Sequence, residues 1–302
     1  MGRALVIRTA GTNCDAEMCR AFSLAGAEPS LVHLDRLIAD PSRVEGFDLI
    51  GLPGGFSYGD DVASGRILAV KVRERLYPAM RAAVERGVPI IGVCNGFQAL
   101  VQCGLLPGPA RGEPWPADRA PRQRLTLRDN ASARFICRWV RVRAEADSVC
   151  VWTRTLREAG ASERADEVMM LPIAHGEGRL VADSSETIAE LERGGQVVLR
   201  YAEEVNGSEG RIAGVCDASG LVFGLMPHPE RYLDWTRHPY WTRLGAEARR
   251  GTTPGLTMFR DAVEAASHVS VSSGAIGGGE EREACKRGRE KEGTSIPRAT
   301  TA

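Results

Sequence analysis

What the chain lacks narrows its chemistry first. Its eight cysteines, at 14, 19, 94, 103, 137, 150, 216 and 285, form no CxxC pair, which excludes the usual zinc spacing. They are too sparse for a disulfide scaffold, so reduced thiols and a cytoplasmic location are expected. No apolar run approaches the roughly 20 residues needed to cross a bilayer. The opening MGRALVIRTAGTNCD meets Thr and Gly too early for a secretory signal, and Val6 stands where a myristoylation pattern wants Ser or Thr. A preponderance of one charge is also missing, because Lys+Arg 39 cancels Asp+Glu 39, and with it the basic footprint that nucleic acid or an anionic membrane requires. There is no GxxxxGK[ST] phosphate loop, so neither nucleotide chemistry, nor a cofactor, nor a metal is expected of this chain. A small neutral substrate or a protein partner fits better.

What is present is ample material for a core: 302 residues, 43% of them hydrophobic. Short apolar runs (ALVIR, SLVHL, FDLIGL, VPIIGV) alternate with helical patterns such as DAEMCRAFSLAG and VRERLYPAMRAAVERG. This alternation predicts a parallel sheet with helices on both faces. Later segments are richer in strands: RFICRWVRVRA, EVMMLPIA, QVVLRYA, RIAGVC and LVFGLMP, with a last helix near TPGLTMFRDAVEAASH. One α/β domain over 1–268, extended by antiparallel strands, is expected. The stretch 107–124, with five prolines, reads as a surface loop. The Gly/Ser-rich, charged 269–302 reads as a disordered tail. Asn206-Gly207-Ser208 is read as a turn rather than a glycosylation site.

Three motifs carry chemistry. Gly92-Val93-Cys94-Asn95-Gly96 lies between a buried run and a helical pattern. A strand-to-helix elbow of this kind needs small residues two positions either side of the nucleophile, and the start of a helix, with its free N–H groups and dipole, favours a thiolate. Pro227-His228-Pro229-Glu230 follows LVFGLM and sets a base two residues from a carboxylate. With Pro229 extending the chain at His228, both side chains are expected to project to one side, giving a Cys94/His228/Glu230 triad. Leu52-Pro53-Gly54-Gly55 ends another strand, where the N–H groups of Gly55 and Asn95 could form an oxyanion hole.

Together the motifs resemble the class I, triad-type glutamine amidotransferases, whose pattern is a glycine loop, a GxCxGxQ elbow and a late His-x-Glu. GTNCD at 11–15, LPGGFSYGDD at 52–61, GVCNGFQAL at 92–100, LPIAHGEG at 171–178 and GLMPHPER at 224–231 narrow the resemblance to the glutaminase subunits of phosphoribosylformylglycinamidine synthases. The resemblance implies a flavodoxin-like, doubly wound, mostly parallel sheet with added antiparallel strands. It implies L-glutamine as substrate and a Cys94 thioester, with ammonia passed to an ATP- and magnesium-dependent synthetase subunit beside a small accessory subunit, in purine biosynthesis. Gly54, Gln98 and His175 would then bind substrate. Cys14 and Asp15 lie near the expected site, with capping of the next helix by Asn13 or Asp15 the simpler explanation. In 234–253, His238 is expected at the surface, with Trp235, Tyr240 and Trp241 as a possible contact face. Two alternatives stay open: another cysteine hydrolase of related fold, and a non-catalytic regulatory relative.

Overall fold

The computed structural model describes residues 1–159 and 167–277. In the first third, strands and helices alternate: β1 (Arg3–Arg8), α1 (Asp15–Ala25), β2 (Glu28–His33), α2 (Leu34–Ala39) and β3 (Leu49–Leu52). There follow α3 (Arg66–Arg75), α4 (Tyr77–Glu85), β4 (Ile90–Val93) and α5 (Asn95–Gln102). LIGL in β3 and IIGV in β4 are buried at every residue, as strands covered by helices on both faces must be. The segment VRERLYPAMRAAVERG is not one helix: α3 stops at Arg75, and Pro78, which has no N–H to donate, falls in the first turn of α4.

The later elements are β5 (Leu125–Arg128), β6 (Ile136–Ala144), α6 (Arg154–Glu158), β7 (Met170–His175), β8 (Arg179–Ala182) and α7 (Ser185–Arg193). The chain continues through β9 (Val197–Tyr201), β10 (Ile212–Cys216), β11 (Val222–Leu225) and α8 (Pro254–Gly277). Nine strands form one sheet in the order β2-β1-β3-β4-β11-β10-β9-β6-β7. From β2 to β11 neighbours are parallel, and from β10 to β7 every pairing is antiparallel. This is the expected architecture. Pro29 and Pro172 sit in the two edge strands, where a missing N–H costs no ladder bond. In β6 the apolar Val140 and Val142 are buried while Arg141 and Arg143 are exposed, a period of two that fits a half-covered antiparallel strand. The antiparallel pair β5–β8, a separate two-stranded sheet, was not anticipated.

A compact unit spans Met1–Ala266, against the expected limit at 268. The second unit, Ser267–Ala302, is described only to Gly277, where α8 ends. Residues 269–277 lie within α8, and the rest of the stretch expected as a disordered tail lies outside the described residues. The 107–124 stretch carries no regular element and is exposed from 110 to 114 and from 117 to 119. It is tied down where the Tyr77 hydroxyl donates to the Pro116 carbonyl at 2.7 Å.

Candidate active site

The carboxyl ends of β1, β3, β4 and β11 are neighbours in the parallel part of the sheet, the place where loops of such sheets gather around ligands. Val93 pairs with Leu225, so the chain leaving β11 runs beside the chain leaving β4. Cys94 occupies the turn between β4 and α5 with φ 51 and ψ −105, a conformation that a residue with a side chain holds only at a cost of roughly 1–3 kcal/mol. Two main-chain bonds hold it there: Cys94 N donates to Leu225 O at 2.8 Å, and Gln98 N donates to Cys94 O at 3.0 Å. The flanking glycines are required by close approach. A Cβ on Gly96 would stand 2.0 Å from the Leu52 carbonyl oxygen, and one on Gly92 2.5 Å from Leu100 Cδ1.

His228 and Glu230 meet as expected, at 2.6 Å between Nδ1 and Oε1, with side chains almost wholly buried. The local geometry differs from the expected extended segment, because Pro229–Arg231 is a 3₁₀ turn. The turn itself brings residue i+2 back to the imidazole. With the Nδ1 proton directed at the carboxylate, Nε2 is the atom left for other work. Burial opposes charging of His228, but the Glu230 charge and the bonds to Cys14 and Cys94 together outweigh it, and its pKa lies well above 6.5.

Gly54 lies where these parts converge. A Cβ there would stand 2.8 Å from His228 Cε1, 3.3 Å from Cys14 Sγ and 3.4 Å from Cys94 Cβ. Its carbonyl accepts from Asn13 N and Cys14 N, both at 3.2 Å. Across the planar peptide the N–H of Gly55 consequently points the opposite way, away from the start of α1.

On the other side of the nucleophile, Gln98 and His175 are buried. Gln98 Nε2 donates to the Glu177 carbonyl at 2.6 Å, and its Oε1 accepts from Asn95 Nδ2 at 3.1 Å. Glu177 accepts from the Ser64 hydroxyl at 2.8 Å, and Asp60 accepts from Asn95 Nδ2 at 2.9 Å. The Ala174 carbonyl lies 3.7 Å from Cys94 Sγ. His175 donates through Nδ1 to Asn130 Oδ1 at 3.0 Å. Burial, then the positive charge of His228, lowers its pKa to about 4, so its ring is neutral near pH 7.

Sequence reasoning passed over Asp60, Ser64, Glu177 and Arg231. Their signal was present, since all but Ser64 lie within the strings that carried the resemblance. It also misread Cys14. The N-cap of α1 is Cys14, whose side chain makes no cap bond, and of the two expected caps only Asp15 reaches the first turn, where its Oδ1 accepts from Ala16 N at 3.0 Å. Asn13 Oδ1 instead accepts from the Cys14 thiol at 3.1 Å, and Asp15 pairs with Arg8 at 3.5 Å. Cys14 is wholly buried, accepts from Arg231 Nη2 at 3.0 Å and stands 3.9 Å from His228 Nδ1. Ligand atoms of Cys14, His228 and Glu230 all fall within 4.8 Å of one another. The guanidinium already on the sulfur and the carboxylate already on Nδ1 oppose a metal cation there. His238 is not at the surface. It is 2% exposed and packs against Trp139, Tyr232 and Tyr240, with ring centroids 5.8 to 6.2 Å apart. Tyr240 and Trp241 are exposed.

The glutamine amidotransferase domain described as CobB/CobQ-like matches residues 2–264. The phosphoribosylformylglycinamidine synthase subunit PurQ of Dehalococcoides mccartyi is 40% identical over 274 residues, covering 88% of this chain and 98% of that protein. The Thermotoga maritima protein of the same name is 40% identical over 232 residues, covering 77% and 89%. A chain in the structure of PurLQS from Thermotoga maritima superposes with a TM-score of 0.60 at 35% identity, covering 87% of this chain and 99% of that one. With three motifs gathered at one end of a parallel sheet and relatives matched along nearly their whole length, the chain belongs to the CobB/CobQ-like glutamine amidotransferase family.

Proposed function

We propose that this chain is the glutaminase subunit of a phosphoribosylformylglycinamidine synthase, in which Cys94 attacks glutamine, His228 carries the proton and Glu230 orients His228. Cys94 Sγ adds to the side-chain amide carbon of L-glutamine. The oxygen that gains charge is met by the N–H groups of Gly55 and Asn95, donors whose loss costs about 100- to 1000-fold in rate where it has been measured. As the C–N bond breaks, His228 gives its proton to the leaving nitrogen, and ammonia departs from a γ-glutamyl thioester on Cys94. Water then adds to the thioester carbon, returning a proton to His228. Glutamate leaves, and the sulfur is free for another turnover. Gly54, Gln98 and His175 hold the substrate.

The observation that carries this reading is the buried 2.6 Å bond from His228 to Glu230 beside the strained elbow at Cys94. Among the described residues no helix is long and apolar enough to cross a membrane, and we place the protein in the cytoplasm. ATP and magnesium act on a synthetase subunit that receives the ammonia, with a small accessory subunit in the complex.

The site of the free chain is shut, with Cys94 6% and His228 2% exposed. The synthetase opens it. Next to the site, Tyr58, Asp60 and Val62 hold left-handed φ of 55, 52 and 73, while Phe56 and Val62 expose apolar side chains. A strained segment with an apolar tip suits docking that shifts it to a second state. The test is synthesis by the assembled complex. Cys94→Ala abolishes turnover with glutamine and spares turnover with added ammonium. Equal loss of both, in a complex shown to assemble, overturns the assignment.

A further inference from the structure

Arg231 stands beside Glu230 in sequence and in space, and nothing in the reaction above uses it. A guanidinium next to the triad carboxylate is a hazard. Arg–carboxylate pairs are strong and often bidentate, and a Glu230 shared with Arg231 would hold His228 less firmly and stabilise its positive charge less. Arg231 Nη2 is instead engaged 3.0 Å from Cys14 Sγ. The thiol is satisfied on both counts, donating to Asn13 Oδ1 at 3.1 Å and accepting from the guanidinium. The same residue holds the glycine loop, since Cys14 N donates to Gly54 O at 3.2 Å. Its sulfur also flanks the Nδ1 edge of His228 at 3.9 Å.

We propose that Cys14 is a positioning residue for glutamine hydrolysis: its sulfur draws the Arg231 guanidinium away from Glu230, leaving that carboxylate to His228, while its N–H orients the Gly54–Gly55 peptide. This rests on the triad assignment above and adds to it a residue that acts only through others. The charged and titratable groups that bear on His228 are Glu230 and Arg231 on its own turn, Cys14 at the start of α1, Cys94 at the elbow and His175 at the end of β7; Glu17 acts on Arg231. Of these, Cys14 decides where the cation goes.

The experiment measures glutamate release by the assembled complex across pH for Cys14→Ala, Cys14→Val, Cys14→Ser, Arg231→Met and the Cys14→Ala/Arg231→Met double variant. Cys14→Ala and the volume-keeping Cys14→Val lower kcat about tenfold and leave KM within about twofold. Both move the alkaline limb of the profile down by about one pH unit, because a Glu230 shared with Arg231 supports less charge on His228. Cys14→Ser, which keeps donor and acceptor, retains most of the activity. The decisive result is the double variant, in which removing the guanidinium restores most of the kcat lost in Cys14→Ala. Multiplying losses, an unmoved alkaline limb or an effect on KM alone overturns the proposal. Glutamine hydrolysis that persists in Cys94→Ala sinks the triad reading instead, so the two failures are told apart.

Discussion

The two sides of Cys94 are built on different principles. Behind it, the buried His228, Glu230 and Cys14 and the half-buried Arg231 form a charged group, with 2.6 Å between imidazole and carboxylate and 3.0 Å between guanidinium and sulfur. In front, Asp60, Ser64, Asn95, Gln98 and Glu177 form a neutral-to-acidic clasp. One Ser64 hydroxyl faces two carboxylates, Glu177 at 2.8 Å and Asp60 at 3.0 Å, although it has a single proton to donate. The rear must keep one geometry through a catalytic cycle, so strong, water-excluded bonds suit it. The front must admit substrate, so weak and replaceable bonds suit it.

The sharpest way to test the rear is Glu230→Gln. It keeps shape and removes the charge, and we expect glutamate release by the complex to fall about 1000- to 10,000-fold with unchanged assembly. A loss under tenfold would place the orienting role elsewhere.

The elbow between the two sides is tested by Gly96→Ala. The added methyl would meet the Leu52 carbonyl at 2.0 Å, and we expect the melting temperature to drop by several degrees, for a loss on the order of 3 kcal/mol or more. An unchanged melting curve would show that the turn can relax and that Gly96 is replaceable.

For the front the expected sign reverses. Glu177→Gln weakens a clasp bond, and the isolated chain should become a better glutaminase by about five- to tenfold, equivalent to about 1 kcal/mol less holding the site shut. Unaltered turnover by the free chain would mean that the clasp does not limit access.

The smallest effect concerns His175, which borders both sides. Its pKa in the folded chain, lowered from 6.5 to about 4, means that the folded state resists protonation where the unfolded state does not. Its stabilising contribution is therefore complete above about pH 6.5, is lost as pH falls toward 4, and changes no further below that. Calorimetric melting between pH 4 and 7 should show this decline, and His175→Gln, which does not titrate, should flatten it. Parallel curves for the two proteins would assign the decline to other groups.

Cys94, His228 and Glu230 could be read from the chain because local rules place them. An elbow needs glycines at 92 and 96, a buried parallel strand reads as LIGL or IIGV, and a carboxylate two residues from a histidine comes within reach once a proline between them keeps the segment out of an α-helix. The same locality misled in places. The His228 segment was read as extended because proline constrains the residue before it, yet the following residues turn into a 3₁₀ helix. Pro78 divides what reads as one helical pattern. Cys14 looked like an incidental neighbour of a helix cap because its partner Arg231 is 217 positions away. His238 reads as exposed from its own segment, whereas Trp139 and Tyr232, brought over it from β6 and the turn after Glu230, join Tyr240 in packing against it. By itself the sequence determined the elbow at Cys94, the placing of His228 two residues from Glu230 and the alternation of strands with helices, since these depend on spacings of a few residues. Which cation stands beside Glu230, and which carboxylates meet Ser64 and Asn95, was decided only in the tertiary structure, because those contacts join segments that nothing but the packing of the sheet brings together.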